Sequence, residues 1–253
     1  MQESDPIDLV VPHELAAQKS SLRAYVAIRS AMREGVMRAL DIDDRALSRS
    51  LNFTRSAIRS ALTTLSSEGF IQRKQRVGTT FDAALFDSND DRAVNARDGG
   101  AGQVRIVTTA METVIAPPWV RECLGIEGKY ALLYECMSMM GDEPISVQLN
   151  YYPPDFDSVA LFSRGLEIDE DDSYETLAER FRALLGQDMG RVSTAIEAVA
   201  CDAQVATLLN VAEGAPILLR EYHLRDVNDR VLVLSYSYAR GDRVTVRTES
   251  HAS

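Results

Sequence analysis

Within residues 51–81, "LNFTRSAIRSALTTLSSEGFIQRKQRVGTTF", stand Arg55, Arg59, Arg73, Lys74 and Arg76 against a single acid, Glu68. Thr54, Arg55, Ser56 and Arg59 crowd the start of a helical pattern, and their chemistry suits nucleic acid. A guanidinium bonds bidentately to guanine O6 and N7, and a short hydroxyl reaches a base edge or a phosphate. The first turn of a helix adds backbone N–H groups and the positive end of its dipole, both suited to a phosphate. Arg73, Lys74 and Arg76 follow on a second element, placed for the backbone or minor groove. Gly78 lets the tip of that element pass close to a duplex.

Three helices and a hairpin must position these groups. "SSLRAYVAIRSAMREG" sets Leu22, Tyr25, Ile28, Ala31 and Met32 at helical spacing, with Ser20 or Ser21 as cap. "DIDDRALSRSL" reads as a second helix capped by Asp43, with Ala46, Leu47 and Leu51 as its stripe and Asn52 closing it. "TRSAIRSALTTLSSEG" reads as a third, capped by Thr54, burying Ala57, Ile58, Ala61, Leu62 and Leu65 and stopping at Gly69. The last two form a helix-turn-helix pattern, whose second helix enters the major groove. After Gly69 the period becomes alternating, with Phe70, Ile71 and Phe81 at the ends of two short strands around "RVGT". The whole is a winged helix-turn-helix.

The charge distribution supports a split chain. Residues 20–81 hold 11 Arg and Lys against 5 Asp and Glu, whereas residues 82–253 hold 15 against 29, within a total of −11. A basic module on an acidic body focuses attraction for a polyanion on one face. At 253 residues two domains are expected. No apolar run approaches the ~18 residues of a membrane helix, and the acidic start "MQESDPIDLVV" lacks a signal-peptide pattern. Cys123, Cys136 and Cys201 have no paired spacing, which points to a reducing, cytoplasmic setting. Histidines occur only at 13, 223 and 251. The sequence therefore presents no nucleophile–base set, no metal site and no cofactor motif, and an enzyme is not expected. Residues 82–103 are polar, end in glycines and read as a linker. Their "GGAG" lacks the Lys-Ser/Thr of a phosphate loop.

Beyond the linker the chain repeats itself. "CLGIEGKYALLYECMSMMGDEPISVQLNYY" (123–152) aligns with "LLNVAEGAPILLREYHLRDVNDRVLVLSYSY" (208–238). Gly128 matches Gly214, Leu132 and Leu133 match Leu218 and Leu219, Glu135 matches Glu221, and Tyr152 matches Tyr238. Each copy reads as helix, glycine turn, strand, polar turn, strand, so two copies sharing one antiparallel sheet make an α+β domain. Between them "DDSYETLAERFRALLG" reads as an amphipathic helix capped by Asp172 or Ser173, with Leu177, Phe181 and Leu184 buried. The "RGD" at 240–242 reads as the end of a strand.

The stretch from Ala46 to Phe81 resembles the DNA-binding domain of the GntR family of bacterial transcription regulators. The residues carrying this are Leu47, Leu51, Arg55, Arg59, Ala61, Leu62, Leu65, Glu68, Gly69, Ile71, Arg73, Gly78, Thr79 and Phe81. The resemblance implies DNA contacts from Arg45, Arg55, Arg59 and Gly78. The chain departs from the family pattern in lacking a "PG..LPSE" run, and in placing Arg76 and Val77 where a wing glycine and a wing-tip arginine usually stand. "GDEPISVQLNYYP", "EGAPILL" and "YSYARGDRVTV" resemble the UTRA effector domain, which has a chorismate-lyase-like antiparallel sheet and marks the HutC subfamily. The implied organisation is an N-terminal arm (1–19), a winged helix-turn-helix domain (20–81), the linker (82–103) and a UTRA domain (104–248).

UTRA domains hold ligand between the halves of the sheet. Relatives that bind phosphorylated sugars use two arginines and a carboxylate at the positions that align with Cys136, Ser138 and Gln148. None of these three pairs with a phosphate as arginine does, so the expected effector is not a sugar phosphate. Ser173, at a helix start, and Glu135, Tyr152, Arg220, Tyr222, Tyr236 and Arg240 complete the expected lining. The expected partners are double-stranded operator DNA, a small-molecule effector and a second copy of the chain, with no membrane. The function this describes is a repressor released by its effector. The alternative is a DNA-binding regulator or architectural protein whose second domain only dimerises.

Overall fold

The structure is a computed structural model describing residues 13–33, 44–74, 78–81, 86–89, 104–161, 163–164 and 176–247. The chain divides into two compact units, Met1–Ala84 and Leu85–Ser253.

The first unit holds α1 (His13–Arg33), α2 (Asp44–Ser50), α3 (Arg55–Ser67) and a hairpin of β1 (Ile71–Lys74) and β2 (Gly78–Phe81). Thr54 caps α3, its hydroxyl accepting from Ala57 N at 3.3 Å. The buried stripe is Ala57, Ile58, Ala61, Leu62 and Leu65, as the spacing requires. Gly69, at φ 79°, ends the helix. The Gly69 and Phe70 N–H groups then return to the Ser66 and Leu65 carbonyls, a Schellman closure that turns the chain into β1. Asn52, at φ 55°, makes the turn after α2. Ala24 and Ile28 of α1 pack against this core, which Leu47, Phe70 and Ile71 complete.

The long first helix departs from expectation at its start. It begins at His13, so Ser20 and Ser21 lie inside it, and part of the expected arm is helical. No proline or glycine interrupts residues 13–33, so nothing local stops the helix from extending back. Leu22 is 62 % exposed; the buried stripe runs through Ala24 and Ile28 instead. Asp43, the expected cap of α2, lies outside the described residues. On the α3 side of α1, Tyr25 donates to Glu68 Oε2 at 2.7 Å. Arg29 lies over the Phe70 ring at 4.3 Å. Glu68 and Phe70, at the helix–hairpin junction, are thereby tied to α1.

The second unit is built on β4 (Val104–Ile115), α4 (Pro118–Leu124), β5 (Tyr130–Met140), β6 (Glu143–Tyr152), α5 (Leu177–Leu185), β7 (Met189–Ala200), α6 (Ala203–Leu209), β8 (Pro216–Asp226) and β9 (Val231–Arg240). The six strands form one antiparallel sheet in the order β4-β5-β6-β9-β8-β7. The repeat is larger than its sequence signal: each half is strand, helix, strand, strand, with β6 and β9 meeting at the centre. The row Ala110–Glu135–Leu149–Tyr236–Glu221–Ala195 crosses all six strands. It reads equivalently from either end, so a local twofold runs through the Leu149–Tyr236 pair.

The register corrects one alignment. Leu133 pairs with Tyr151, whereas its counterpart Leu219 pairs with Tyr238, so Tyr238 is equivalent to Tyr151 rather than Tyr152. The second turn is longer: Asp226 accepts from the Asn228 and Arg230 N–H groups at 2.9 Å each, and Asp229 takes φ 66°. A one-residue change moves every side chain to the other face.

Two further differences come from pairing and capping. Residues 86–89, expected as linker, form β3 (Phe86–Asn89), parallel to β10 (Val244–Arg247). "FDSN" carries no strand signal of its own; its partner lies across most of the second unit's sequence. The helix expected from Asp172 or Ser173 instead starts at Leu177, with Thr176 and Glu179 forming a capping box.

Gly190 lies in the irregular register between Met189 and Val192, and a Cβ there would collide with the Asp226 backbone carbonyl. Neither backbone is free to yield, so Gly190→Ala is expected to cost about 1–3 kcal/mol. Its melting temperature should fall by several degrees in a calorimetric scan.

Candidate functional site

In the first unit, Arg55, Ser56 and Arg59 are exposed on the face of α3 opposite its buried stripe. The Arg59 side chain is 70 % exposed and lies 3.5 Å from Asp44 at the start of α2. Thr54 is occupied as the cap and lies 3.1 Å from Ser56 Oγ. Arg45 is exposed on α2. Arg73 and Lys74 belong to β1, and Gly78 opens β2 opposite Lys74; Arg76 lies outside the described residues. A row of cations thus stands at the N-terminal end of an exposed helix, as groove docking requires.

The faces of the large sheet follow from strand alternation. α4 and α6 cover one face, packing on Ala131, Met137, Val147, Leu149, Tyr151, Leu234, Tyr236 and Tyr238. α5 covers part of the other, where Phe181 and Leu185 meet Leu132, Tyr152, Leu224 and Val233. Beyond α5 on that second face the side chains turn polar. Cys136, Ser138, Gln148, Asn150, Arg220, Tyr222, Ser235 and Ser237 share it by parity with Leu132, Tyr152, Leu224 and Val233.

Most of this polar patch is buried, with Gln148 and Tyr222 half-buried. Cys136 is 2 % exposed and Ser138 1 %, and Asn150, Arg220, Ser235 and Ser237 are also buried. Gln148 donates to Ser138 Oγ at 3.4 Å, and Asn150 Nδ2 donates to the Tyr134 carbonyl at 3.3 Å. Across the central strands Arg220 donates to Ser237 Oγ at 3.4 Å and stands over the Tyr222 ring at 5.5 Å. A sheet face serving only to pack would be apolar, because burying hydroxyls and amides costs free energy that packing does not return. The arrangement can instead present donors, acceptors and one guanidinium to a small polar molecule.

The expected lining is thus only partly brought together. Ser138, Gln148, Arg220 and Tyr222 share the patch. Tyr152 shares its face but lies in the core beneath α5. Glu135 and Tyr236 belong to the opposite face: Tyr236 packs against the α4 cluster. Glu135 is near Tyr151, where burial first and then its charge raise the phenol. Arg240 is committed to ion pairs with Glu143 at 2.7 Å and Asp242 at 2.8 Å. Ser173 lies outside the described residues. Asn150, Ser235 and Ser237 went unremarked, although "QLN" and "SYS" place polar residues two apart, which on a strand means one face.

Among the described residues, no group of His, Cys, Asp and Glu is set to hold a metal ion, and no helix is long and apolar enough to cross a membrane. The structure brings together a cluster that spacing could not show: on the α4 face His223 lies 3.3 Å from Cys123 Sγ and 2.6 Å from Glu221 Oε1.

Residues 20–81 match the profile of bacterial regulatory proteins of the gntR family, and residues 102–245 match that of the UTRA domain. The chain is 27 % identical to the uncharacterized HTH-type transcriptional regulator RB1450 of Rhizobium meliloti (strain 1021) over 212 residues, covering 82 % of this chain and 84 % of that one. Its fold is similar to that of PhnF from Mycobacterium smegmatis, at a TM-score of 0.54 and 19 % identity, over 91 % of this chain and 100 % of that one. The Rhizobium relative and the gntR family are both described as regulators.

Proposed function

Because this chain belongs to the UTRA-domain family and carries a gntR-type DNA-binding domain ahead of it, we propose that it is a HutC-type repressor released from its operator by a small-molecule effector. It works in the cytoplasm as a homodimer. Two copies set their α3 helices in successive major grooves, roughly 34–36 Å apart on a near-palindromic operator. Arg55, Ser56 and Arg59 read bases or phosphates, Arg45 and Thr54 sit beside them, and Arg73, Lys74, Arg76 and Gly78 serve the wing.

The observation that carries the effector half of this reading is the buried polar patch around Ser138, Gln148, Asn150, Arg220 and Ser237. Where phosphate-binding relatives would place arginines stand a thiol and a hydroxyl, both buried. The effector is therefore polar, with at most one anionic group facing Arg220, and is not a sugar phosphate. Effector shifts the dimer toward a geometry whose helix spacing no longer fits the operator.

Thermal-shift screening of the full-length protein tests this. A polar metabolite at about 100 times its Kd contributes roughly 2.7 kcal/mol, a rise of several degrees, and should release operator in a gel-shift titration. Arg220→Gln should reduce that rise while leaving operator binding in place. Stabilisation by sugar phosphates in preference to such compounds would contradict the assignment.

A further inference from the structure

The large sheet of the second unit ends on β4 at one side and on β7 at the other, and among the described residues no strand pairs with either outer edge. An open edge presents a row of backbone N–H and C=O groups to any other chain, and proteins usually blunt it with charges, a proline or a bulge. β4 is blunted. Its register shifts between Thr108 and Ala110, at the middle of the strand, and Ile106, Val107, Thr108, Ala110 and Met111 around that shift are half-buried.

β7 is not blunted. Its irregularity comes at the start, between Met189 and Val192, and Val192–Ala200 runs in even register with β8. Residues 194–198, "TAIEA", are exposed on both faces of the sheet, with Ile196 43 % exposed. From 189 to 200 the strand carries no proline and only two charges, Arg191 and Glu197. The β-branched Val192, Thr194 and Ile196 favour an extended, paired backbone.

The order of residues says what fits this edge. Two antiparallel copies of one strand meet about a twofold axis, so one residue faces its own copy and the rest pair symmetrically around it. Centred on Thr194, Val192 faces the partner's Ile196, Ser193 faces the partner's Ala195, and Arg191 faces the partner's Glu197. Val192 packs with the α5 cluster and Val199 with the α6 cluster. By alternation Val192, Thr194 and Ile196 therefore share the α5 face, and Ser193, Ala195 and Glu197 share the other. Apolar meets apolar, small meets small, and each charge meets its opposite. Centring on Ile196 instead sets the two Glu197 side chains on one diagonal, about 7–8 Å apart. Centring on Ala195 or Ser193 sets Glu197 opposite Ser193 or Met189. Arg191 can serve the new pair: its side chain is 63 % exposed while it bonds Asp229 at 3.0 Å, and a guanidinium has five donors. Pairing β7 with β4 of another copy would be head-to-tail, which does not close into a dimer.

We propose that β7 is the subunit interface: two copies of the chain pair antiparallel about Thr194, and their sheets join edge to edge. This rests on the homodimer of the proposed function and states the strand through which it forms.

Sedimentation equilibrium of the full-length protein without DNA is the test. The parent should be a dimer. Glu197→Arg sets arginine against arginine twice and should raise the dimer dissociation constant at least about tenfold; adding Arg191→Glu to that variant restores opposite pairs and should recover the dimer. On mild oxidation Thr194→Cys should give a disulfide-linked dimer on a non-reducing gel at least about tenfold faster than Ala198→Cys, which this register holds far from its own copy. Thr194, Glu197 and Ala198 are exposed, so these changes leave the fold intact, and the unsubstituted protein sets the background from its three cysteines. A monomeric parent overturns the homodimer itself. A dimeric parent whose Glu197→Arg variant dissociates no more readily, or whose Thr194→Cys variant cross-links no faster than Ala198→Cys, overturns the β7 interface alone.

Discussion

Replacing Arg55 and Arg59 by alanine should each weaken operator binding by about 1–3 kcal/mol, with the melting temperature unchanged. Both side chains are exposed and neither caps α3 nor enters its buried stripe, so the loss falls on binding and not on folding. Arg55 should show the larger effect. Arg59 lies 3.5 Å from Asp44 and gives up that ion pair when it turns to DNA, which offsets part of its gain. The salt dependence separates the two possible roles: a lost phosphate contact lowers the slope of log K against log salt by about one, whereas a lost base contact relaxes sequence preference. Thr54 is a poor test, because its hydroxyl caps α3 and alanine there costs about 1 kcal/mol of stability. If both arginine variants bind the upstream region as tightly as the parent, the recognition-helix assignment is wrong.

Arg240→Met should be among the most damaging single changes to the second unit, at about 3–5 kcal/mol, or roughly 10 °C in melting temperature. The Arg240 side chain is 8 % exposed and bonds Asp242 through Nε at 3.0 Å and Nη2 at 2.8 Å. It reaches Glu143 at 2.7 Å and the Pro144 carbonyl at 3.3 Å. Arg243 closes the network on the same two carboxylates. Methionine fills the space but leaves Asp242 and Glu143 facing each other with half their counter-charge. The effect ties the start of β6 to the turn after β9.

The same network sets an acid limit. Burial pushes the Asp242 and Glu143 carboxyls up, but for Asp242 the Arg240 hydrogen bond and the charges of Arg240 and Arg243 outweigh it. For Glu143 the Arg243 hydrogen bond and the two arginine charges do so. Both are thus held below their usual values. A carboxylate depressed in the folded state adds stability above its unfolded value, near 4, and loses it as pH falls through the folded one. Melting temperatures should therefore hold near neutrality and fall below about pH 4, with a shallower acid dependence in Arg240→Met. If that variant keeps its stability yet loses the effector-induced shift, Arg240 belongs to the ligand site after all.

The first unit was legible from sequence almost to the residue. Thr54, the five buried positions of α3, the closure at Gly69 and the bend at Asn52 all follow from neighbours within a few positions. Helix periodicity and capping are local physics. The start of α1 was missed because a serine can cap a helix only if the chain ahead of it leaves the helical path, and residues 13–19 do not.

The second unit was legible as a repeat but not as a site. Gly128 and Gly214 marked the two halves, yet the longer turn at Asp226–Arg230 shifted one strand by a residue. Glu135 adjoins Cys136 on one strand, so alternation alone turns it to the opposite face; the face Tyr236 shares with residues of other strands is settled only by register. Arg240 read as a lining candidate because nothing in "RGDR" says that the turn brings Asp242 back onto it.

The amino-acid order by itself determined the helix-turn-helix with its hairpin, where a basic module ends and an acidic one begins, and that the acidic one is doubled. These depend on patterns that a single segment carries within itself. Only the tertiary structure decided which side chains share a sheet face, that residues 86–89 pair with β10, and that Cys123 meets a histidine one hundred positions away. Strand register is set by turns and by partners distant in sequence, and a slip of one residue exchanges the two faces.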